Sequence, residues 1–370
     1  MSLDSTNGGA SPLAVIDRLG RPVRDLRISV IDRCNFRCTF CMPADREYKF
    51  LPRQQLMTFE EIERLVRLFV QLGVRKLRLT GGEPLLRRDI EELVRILAAV
   101  PGVEDLALTT NGALLGAKAQ ALADAGLNRV TVSVESLHDD VFGRVTGLGH
   151  GVGQVLEGID AAADAGLGPI KINTVVMKGT NEDEVADIAS YFKERGHIVR
   201  FIEFMDVGTV NDWSLDQVVT ASGIADRIAE RWAFEPVDRA QPGDVAERFR
   251  YLDDGVEFGV IPSISRPFCG DCARARLSSD GRLYTCLFAD TGPSLRDRLR
   301  AGATDEELLG FLAQHWRQRE DRYSEIRADR LRAGLQPIAE RVEMFRIGGR
   351  TRLPGRARRG GSQRSLALSE

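Results

Sequence analysis

The chain holds 370 residues, 43% of them hydrophobic and 28% charged, enough for two domains or one large α/β unit with an appendage. A formal net charge of −3 excludes a global basic field for nucleic acid, though not a local cationic pocket. No apolar run reaches the roughly 18 residues of a membrane span, and the first 20 residues lack the charged and apolar regions of a secretory signal, so a cytoplasmic protein is expected.

Residues 1–23 are polar and rich in Gly and Ser, which predicts a mobile lead-in. From Arg24 onward, short β-branched or Leu-rich runs alternate with amphipathic stretches of helical period. The runs are 26–30, 76–80, 105–109, 129–133, 170–176 and 198–204. Thr58 and Glu61 form a capping signature ahead of Ile62, Leu65, Val66 and Phe69. Asn181 and Glu184 give the same signature before Val185, Ile188 and Phe192. Six strand-then-helix units predict a parallel sheet with helices outside, either an open doubly wound sheet or a barrel. Polar clusters follow the strand ends: Thr80-Gly81-Gly82-Glu83-Pro84, Thr109-Thr110-Asn111-Gly112, Ser133-Val134-Glu135 and Glu203-Phe204-Met205. In a barrel, that face carries the chemistry.

Past about Val210 the rhythm changes. Residues 220–233 read as a helix, 249–261 as strands around an Asp254-Gly255 turn, and 304–334 as charged helix. From Arg346 the tail has seven arginines and no acid before Glu370, so 350–370 is expected to be a disordered basic tail.

Six cysteines fall into two groups. The first is Cys34, Cys38 and Cys41, a C-x3-C-x2-C spacing just after the first strand. Thiolates are soft ligands that select zinc or iron–sulfur centres. Structural zinc sites are closed by four ligands, so three thiols suit a cubane with one open iron better. A zinc knuckle completed by a distant histidine is the alternative, although His138, His150, His197 and His315 have no ligand-like spacing. The second group is Cys269, Cys272 and Cys286, again three thiols with one position open. Beside it stand Arg274 and Arg276, whose i, i+2 spacing points both guanidiniums to one side of an extended chain. Such a pair suits phosphate recognition.

The cysteine loop, with Phe40 before its last thiol, and the Gly81-Gly82-Glu83-Pro84 turn resemble the radical S-adenosylmethionine superfamily. With the second triad and the stretches RFIEFMDVG and CARARLSSDG, the chain from about Arg24 to Gly349 resembles the GTP 3′,8-cyclase family within it. The resemblance implies an incomplete (β/α)6 TIM-like barrel over 24–215. A C-terminal α+β domain, 216–349, closes it and carries the second cluster.

It also implies a lyase with two 4Fe–4S clusters and S-adenosylmethionine as cofactors. Cys34, Cys38 and Cys41 hold the first cluster; Cys269, Cys272 and Cys286 hold the second. The first cluster reductively cleaves S-adenosylmethionine, and the deoxyadenosyl radical takes hydrogen from the GTP ribose at C3′. That carbon then attacks C8 of guanine, which opens molybdenum cofactor biosynthesis. Carried over residue by residue, the backbone at Phe40 with Gly81, Gly82, Glu83, Ser133 and Met205 contacts S-adenosylmethionine. Arg27, Arg78, Thr109, Lys171 and the run Arg274, Ala275, Arg276 contact GTP, and Arg276 joins the cysteines in catalysis. The implied partners are GTP, an electron donor to the first cluster and a downstream cyclic pyranopterin monophosphate synthase. Neither nucleic acid nor a membrane is expected, and a homodimer is compatible with the sequence.

The chain departs from the family in two places. Glu135 stands where the family usually has Asp, and Gly348-Gly349, which usually ends the chain, precedes twenty-one further residues. The rival readings are a peptide-modifying radical enzyme with an auxiliary cluster and a non-catalytic zinc-binding protein.

Overall fold

The computed structural model describes residues 15–147, 151–208, 210–239, 243–333 and 343–346. Its first six strands are β1 (Asp25–Ser29), β2 (Lys76–Thr80), β3 (Asp105–Thr110), β4 (Arg129–Ser133), β5 (Lys171–Val176) and β6 (Ile198–Glu203). They pair side by side in chain order, all parallel. The connecting helices are α1 (Phe59–Gln71), α2 (Ile90–Ala98), α3 (Leu115–Asp124), α4 (Asp139–Thr146), α5 (Gly153–Asp164) and α6 (Val185–Lys193). Leu26, Ile28, Leu77, Leu79, Val130 and Val132 are all buried in the main apolar core. The alternate residues Arg27, Ser29, Arg78, Thr80, Thr109 and Ser133 line a cavity on the other face. The two-residue period of a strand is what sorts them.

Thr58 accepts from the Glu61 N–H while the Glu61 side chain accepts from the Thr58 N–H, so the predicted capping box starts α1. The box expected at Asn181 does not form. Asn181 is buried; its Oδ1 accepts from Met177 N at 2.8 Å and its Nδ2 donates to Glu135 O and Val175 O at 2.7 and 2.9 Å. Glu184 instead receives Ser136 Oγ and Leu137 N. Both side chains are drawn inward by buried backbone groups that need partners.

The chain continues through α7 (Ala221–Ala229), β7 (Phe234–Val237), β8 (Glu247–Tyr251), β9 (Glu257–Ile261), β10 (Arg274–Leu277) and β11 (Leu283–Tyr284). Three helices follow: α8 (Leu295–Arg300), α9 (Asp305–Arg317) and α10 (Tyr323–Arg332). These later strands add to both edges of the first six. β9 pairs parallel with β6, and β10 pairs parallel with β1. The result is one eleven-stranded sheet in the order β11-β10-β1-β2-β3-β4-β5-β6-β9-β8-β7. The fully buried Glu203 at the end of β6 fastens the join, accepting from Ala221 N at 2.6 Å, Ile264 N at 2.6 Å and Ser265 N at 2.8 Å.

From Val15 the N-terminal segment, expected to be a mobile lead-in, is packed. Val15, Asp17 and Arg21 are buried, and Ile16 bridges Pro22. Gly348-Gly349 and the 350–370 tail lie outside the described residues. Among the described residues no helix is long and apolar enough to cross a membrane.

Candidate active site

A cavity of about 400 Å³ occupies the inner face of the sheet, and all six cysteines line it. The thiols of the first triad sit in the loop after β1. Backbone groups fasten that loop: Arg37 N donates to Thr146 O at 2.7 Å and Thr39 N to Val145 O at 2.9 Å, at the end of α4. These bonds satisfy carbonyls that a helix end leaves open. On the other side, Gly82 N donates to Ile31 O at 2.7 Å and Glu83 N to Arg33 O at 2.8 Å. A Cβ at Gly82 would lie 2.1 Å from Arg33 O, and one at Gly81 would lie 2.4 Å from Ile31 O. The two glycines therefore let the turn press against the cysteine loop.

Glu83 lines the cavity, but its carboxylate is already engaged by its own turn and by the end of β3. Its carboxylate accepts from Thr110 Oγ1 at 2.7 Å, Asn111 N at 2.8 Å and Leu85 N at 3.0 Å. Burial pushes its pKa up to about 7 against these three donors. Glu135 lines the cavity near the triad, and burial pushes it up to about 8. Burial also raises the Cys34 thiol to about 11 and pushes Cys38 and Cys41 up as well.

Two segments bring the second triad together. A short 3-10 turn, Cys269–Asp271, leads into β10, and the β10–β11 hairpin returns the chain to Cys286. Burial acts to raise the Cys272 pKa, but Arg274 and Arg319 outweigh it and bring the thiol down to about 6. Arg274 Nη2 donates to Cys272 Sγ at 3.2 Å. All six cysteines are free thiols. No three His, Cys, Asp or Glu converge on a single-ion site among the described residues. Three thiols around a shared space, with no fourth ligand built in, fit a polynuclear cluster that takes one iron per thiol.

Between the triads the wall is cationic. The register places Arg27 opposite both Arg276 and Arg78, so three guanidiniums share one row of the sheet. Arg274 lies two residues along, and all four line the cavity. Burial, then Arg276, Arg78 and Arg274, push the Arg27 pKa well down. Burial first and neighbouring arginines next bring Arg78 and Arg276 to about 10. They stay protonated at neutral pH, crowded and desolvated, a wall whose charge suits a polyanion. Arg274 Nε, Arg200 Nε and Asn173 Oδ1 are buried without a hydrogen-bond partner.

Most of the residues expected from the sequence meet here. Phe40, Gly81, Gly82, Glu83, Ser133, Met205, Arg27, Arg78, Thr109, Arg274 and Arg276 all line the cavity. Arg78 Nη1 donates to Thr109 Oγ1 at 3.2 Å. Ala275 is fully buried in the core, since the strand period turns it away from its two neighbours. Lys171, half-buried at the start of β5, is not among the lining residues, but it feels Arg200, Arg129 and Arg78.

Arg200 escaped the sequence reading. It alternates with the core residues Val199 and Phe201, lines the cavity and donates to Thr131 Oγ1 at 3.3 Å. That alternation was the available signal. Met344 and Phe345 also line the cavity, and the Phe345 ring meets Tyr48 edge-on at 5.1 Å. Nothing in the arginine-rich context of that segment pointed to it.

Residues 28–192 match the Radical SAM superfamily and residues 197–325 match Molybdenum Cofactor Synthesis C. The chain is similar to the GTP 3′,8-cyclase of Xanthomonas axonopodis pv. citri (strain 306), 52% identical over 90% of this chain and 98% of that one. It is 49% identical to the enzyme of the same name from Acidothermus cellulolyticus, over 92% of this chain and 95% of the relative. Against that of Aquifex aeolicus the identity is 47%, over 90% of this chain and 100% of the relative. In fold it is similar to Streptococcus suis SuiB bound to S-adenosylmethionine, with a TM-score of 0.55 and 16% identity, covering 83% of this chain and 69% of that one.

Proposed function

The chain belongs to the GTP 3′,8-cyclase family, and from that premise we propose how one cavity divides the work between two clusters. The protein is a radical S-adenosylmethionine enzyme with two 4Fe–4S clusters. It cyclises GTP between C3′ and C8, at the start of molybdenum cofactor biosynthesis. When bound, the reduced first cluster and S-adenosylmethionine supply a one-electron cleavage that yields a hydrogen-abstracting carbon radical.

The chain's own residues bind, orient and exclude water. Cys34, Cys38 and Cys41 would hold the first cluster, and Cys269, Cys272 and Cys286 the second. The Phe40 backbone, Gly81, Gly82, Glu83, Ser133 and Met205 seat S-adenosylmethionine, and Glu83 also braces the turn. Arg274 and Arg276 take the triphosphate, with Arg27, Arg78, Thr109 and Lys171 completing the nucleotide site. Arg200 joins them through its unpartnered Nε on the same wall. The reading also requires an electron donor for the first cluster, a reducing cytoplasmic setting, and a cyclic pyranopterin monophosphate synthase to take the product. A homodimer is compatible with it.

The observation that carries this reading is that two thiol triads share one cavity whose wall is lined with buried, crowded arginines. A peptide substrate would need several carboxylates clustered together to supply the counter-charge that one triphosphate brings. Anaerobic, reduced protein with about eight irons per chain should consume GTP and S-adenosylmethionine together and release 5′-deoxyadenosine. Cleavage of S-adenosylmethionine with no consumption of GTP would overturn it.

A further inference from the structure

Three buried charged residues outside the cavity meet on the backbone of the second triad. Asp17 and Arg21 come from the N-terminal turn, and Arg319 follows α9. Their side chains are 0%, 2% and 1% exposed. Asp17 Oδ2 accepts from Arg21 Nε at 2.6 Å and from Arg319 Nη1 at 3.0 Å. Asp17 Oδ1 accepts from Leu19 N and Arg21 N at 2.9 Å, which closes the turn around it.

The two guanidiniums then reach the cysteine loops. Arg21 Nη1 donates to Cys269 O at 2.7 Å, Arg319 Nη1 to Cys272 O at 2.7 Å, and Arg319 Nε to Thr285 O at 3.1 Å, one residue before Cys286. Asp321 ties in the same loop, accepting from Thr285 Oγ1 at 2.5 Å, while its carbonyl accepts from Arg21 Nη1 at 2.9 Å. Trp316 Nε1 donates to Arg21 O at 3.0 Å, and the Arg319 guanidinium lies 4.7 Å from the Trp316 ring centre.

The bonds from the two guanidiniums to these loops go to carbonyls at or next to a cysteine, so this trio occupies none of the sulfur atoms. The cysteines belong to two segments of chain joined by the β10–β11 hairpin, whose paired residues, Arg276 with Tyr284 and Leu277 with Leu283, do not include the cysteines themselves. A planar guanidinium has donors pointing in several directions at once, which an ammonium lacks. Desolvating three charges is costly where apolar packing would serve to dock a terminus. The cost makes sense where those charges have directed work.

We propose that Asp17, Arg21 and Arg319 form a positioning latch that sets the mutual placement of Cys269, Cys272 and Cys286. The inference rests on the reading of that triad as the second cluster's ligands. The latch sits behind the thiols, outside the cavity lining, and acts through the peptide carbonyls. It also gives the N-terminal segment a role in the chemistry of a site some 250 residues away in sequence.

The test uses the full chain, reconstituted with iron and sulfide under anaerobic conditions, as Arg319→Gln, Asp17→Asn and the milder Arg21→Lys. Read out are iron per chain, the electron paramagnetic resonance of the reduced clusters with and without GTP, GTP affinity and thermal melting. Disturbing such supporting contacts typically weakens a metal site about 10–100-fold. The expected result is selective: the first cluster's iron and S-adenosylmethionine binding persist, while the second cluster's signal shifts or vanishes and GTP affinity falls at least about tenfold. Arg319→Lys should recover only part of the loss, since one ammonium replaces a fork spanning two carbonyls.

Unchanged second-cluster spectra and GTP affinity in Arg319→Gln and Asp17→Asn would overturn the latch. So would loss of both clusters in proportion to a lowered melting temperature in all three variants, because the residues would then hold only the fold. A parent chain with about four irons would instead sink the reading of the second triad.

Discussion

Main-chain hydrogen bonds fasten the loop of Cys34, Cys38 and Cys41, whereas charged side chains surround Cys269, Cys272 and Cys286. The first loop hangs between Thr146 and Val145 on one side and the Gly81-Gly82 turn on the other. Its thiols feel burial above all, and their pKa values rise. Around the second triad, Arg274 and Arg319 outweigh burial and pull Cys272 down to about 6. The contrast matches the ligands: S-adenosylmethionine, whose sulfonium needs no cationic wall, at one end, a triphosphate at the other. One cavity thus holds a half lined by Glu83 and Glu135 and a strongly cationic half, and each half is breakable on its own.

The largest effect is expected from the cysteines. Alanine at Cys34, Cys38 or Cys41 should abolish S-adenosylmethionine cleavage. Alanine at Cys269, Cys272 or Cys286 should leave the first cluster's iron in place while GTP binding and turnover disappear. Iron analysis with 5′-deoxyadenosine assays separates the two, and equal iron loss from either set would merge the triads into one centre.

Gly82→Ala should reproduce much of the first-triad defect without touching a ligand. The added methyl would start 2.1 Å from Arg33 O, and backbone has to give way. A fall of about 100-fold in S-adenosylmethionine cleavage is expected, with GTP affinity within about twofold of the parent, since the arginine wall is built elsewhere. Wild-type cleavage by this variant would mean that the turn and the cysteine loop are not pressed together.

The cationic half has its own lever. A charge-assisted hydrogen bond contributes about 1.5–3 kcal/mol, so Arg274→Ala or Arg276→Ala should raise the GTP dissociation constant about ten- to a hundredfold. Guanosine and S-adenosylmethionine binding should hardly move. Calorimetric titration checks it, and affinities within about twofold of the parent would place the triphosphate elsewhere.

The asymmetry between the halves also decided what could be read from sequence. Strands and cysteine spacing are local, and β1 to β6 lie within a residue or so of the apolar runs. Arg274 and Arg276 were legible because i, i+2 spacing is itself local geometry. Asn181 looked like a helix cap, yet buried carbonyls of Glu135 and Val175 claimed it. The Asp17 to Arg319 ion pair spans 302 residues, a separation that no motif encodes. The alternation of Arg200 with Val199 and Phe201 gave its face, but only the register of β5 and β6 sets it opposite Asn173 on the cavity wall.

Lys171 offers the smallest and most selective effect, through pH. Burial, then Arg200, Arg129 and Arg78, bring its pKa down to about 8, against about 10.4 for a free lysine. The ammonium is the form that attracts phosphate. In the free enzyme that charge is fully present well below pH 8 and is lost as pH rises through about 8. Bound triphosphate pulls the pKa back up, so binding takes up a proton in the window between the two values. Within that window the GTP dissociation constant should climb by up to about tenfold per pH unit. Lys171→Arg keeps its charge and should flatten the climb while holding neutral-pH affinity. Lys171→Gln should bind weakly throughout and be equally flat. Titrations of all three proteins between pH 7 and 9 share the nucleotide's own ionisation, which cancels in the comparison. If Lys171→Gln retains the parent's slope, the cation that titrates is not Lys171, and the nucleotide site ends at the arginines.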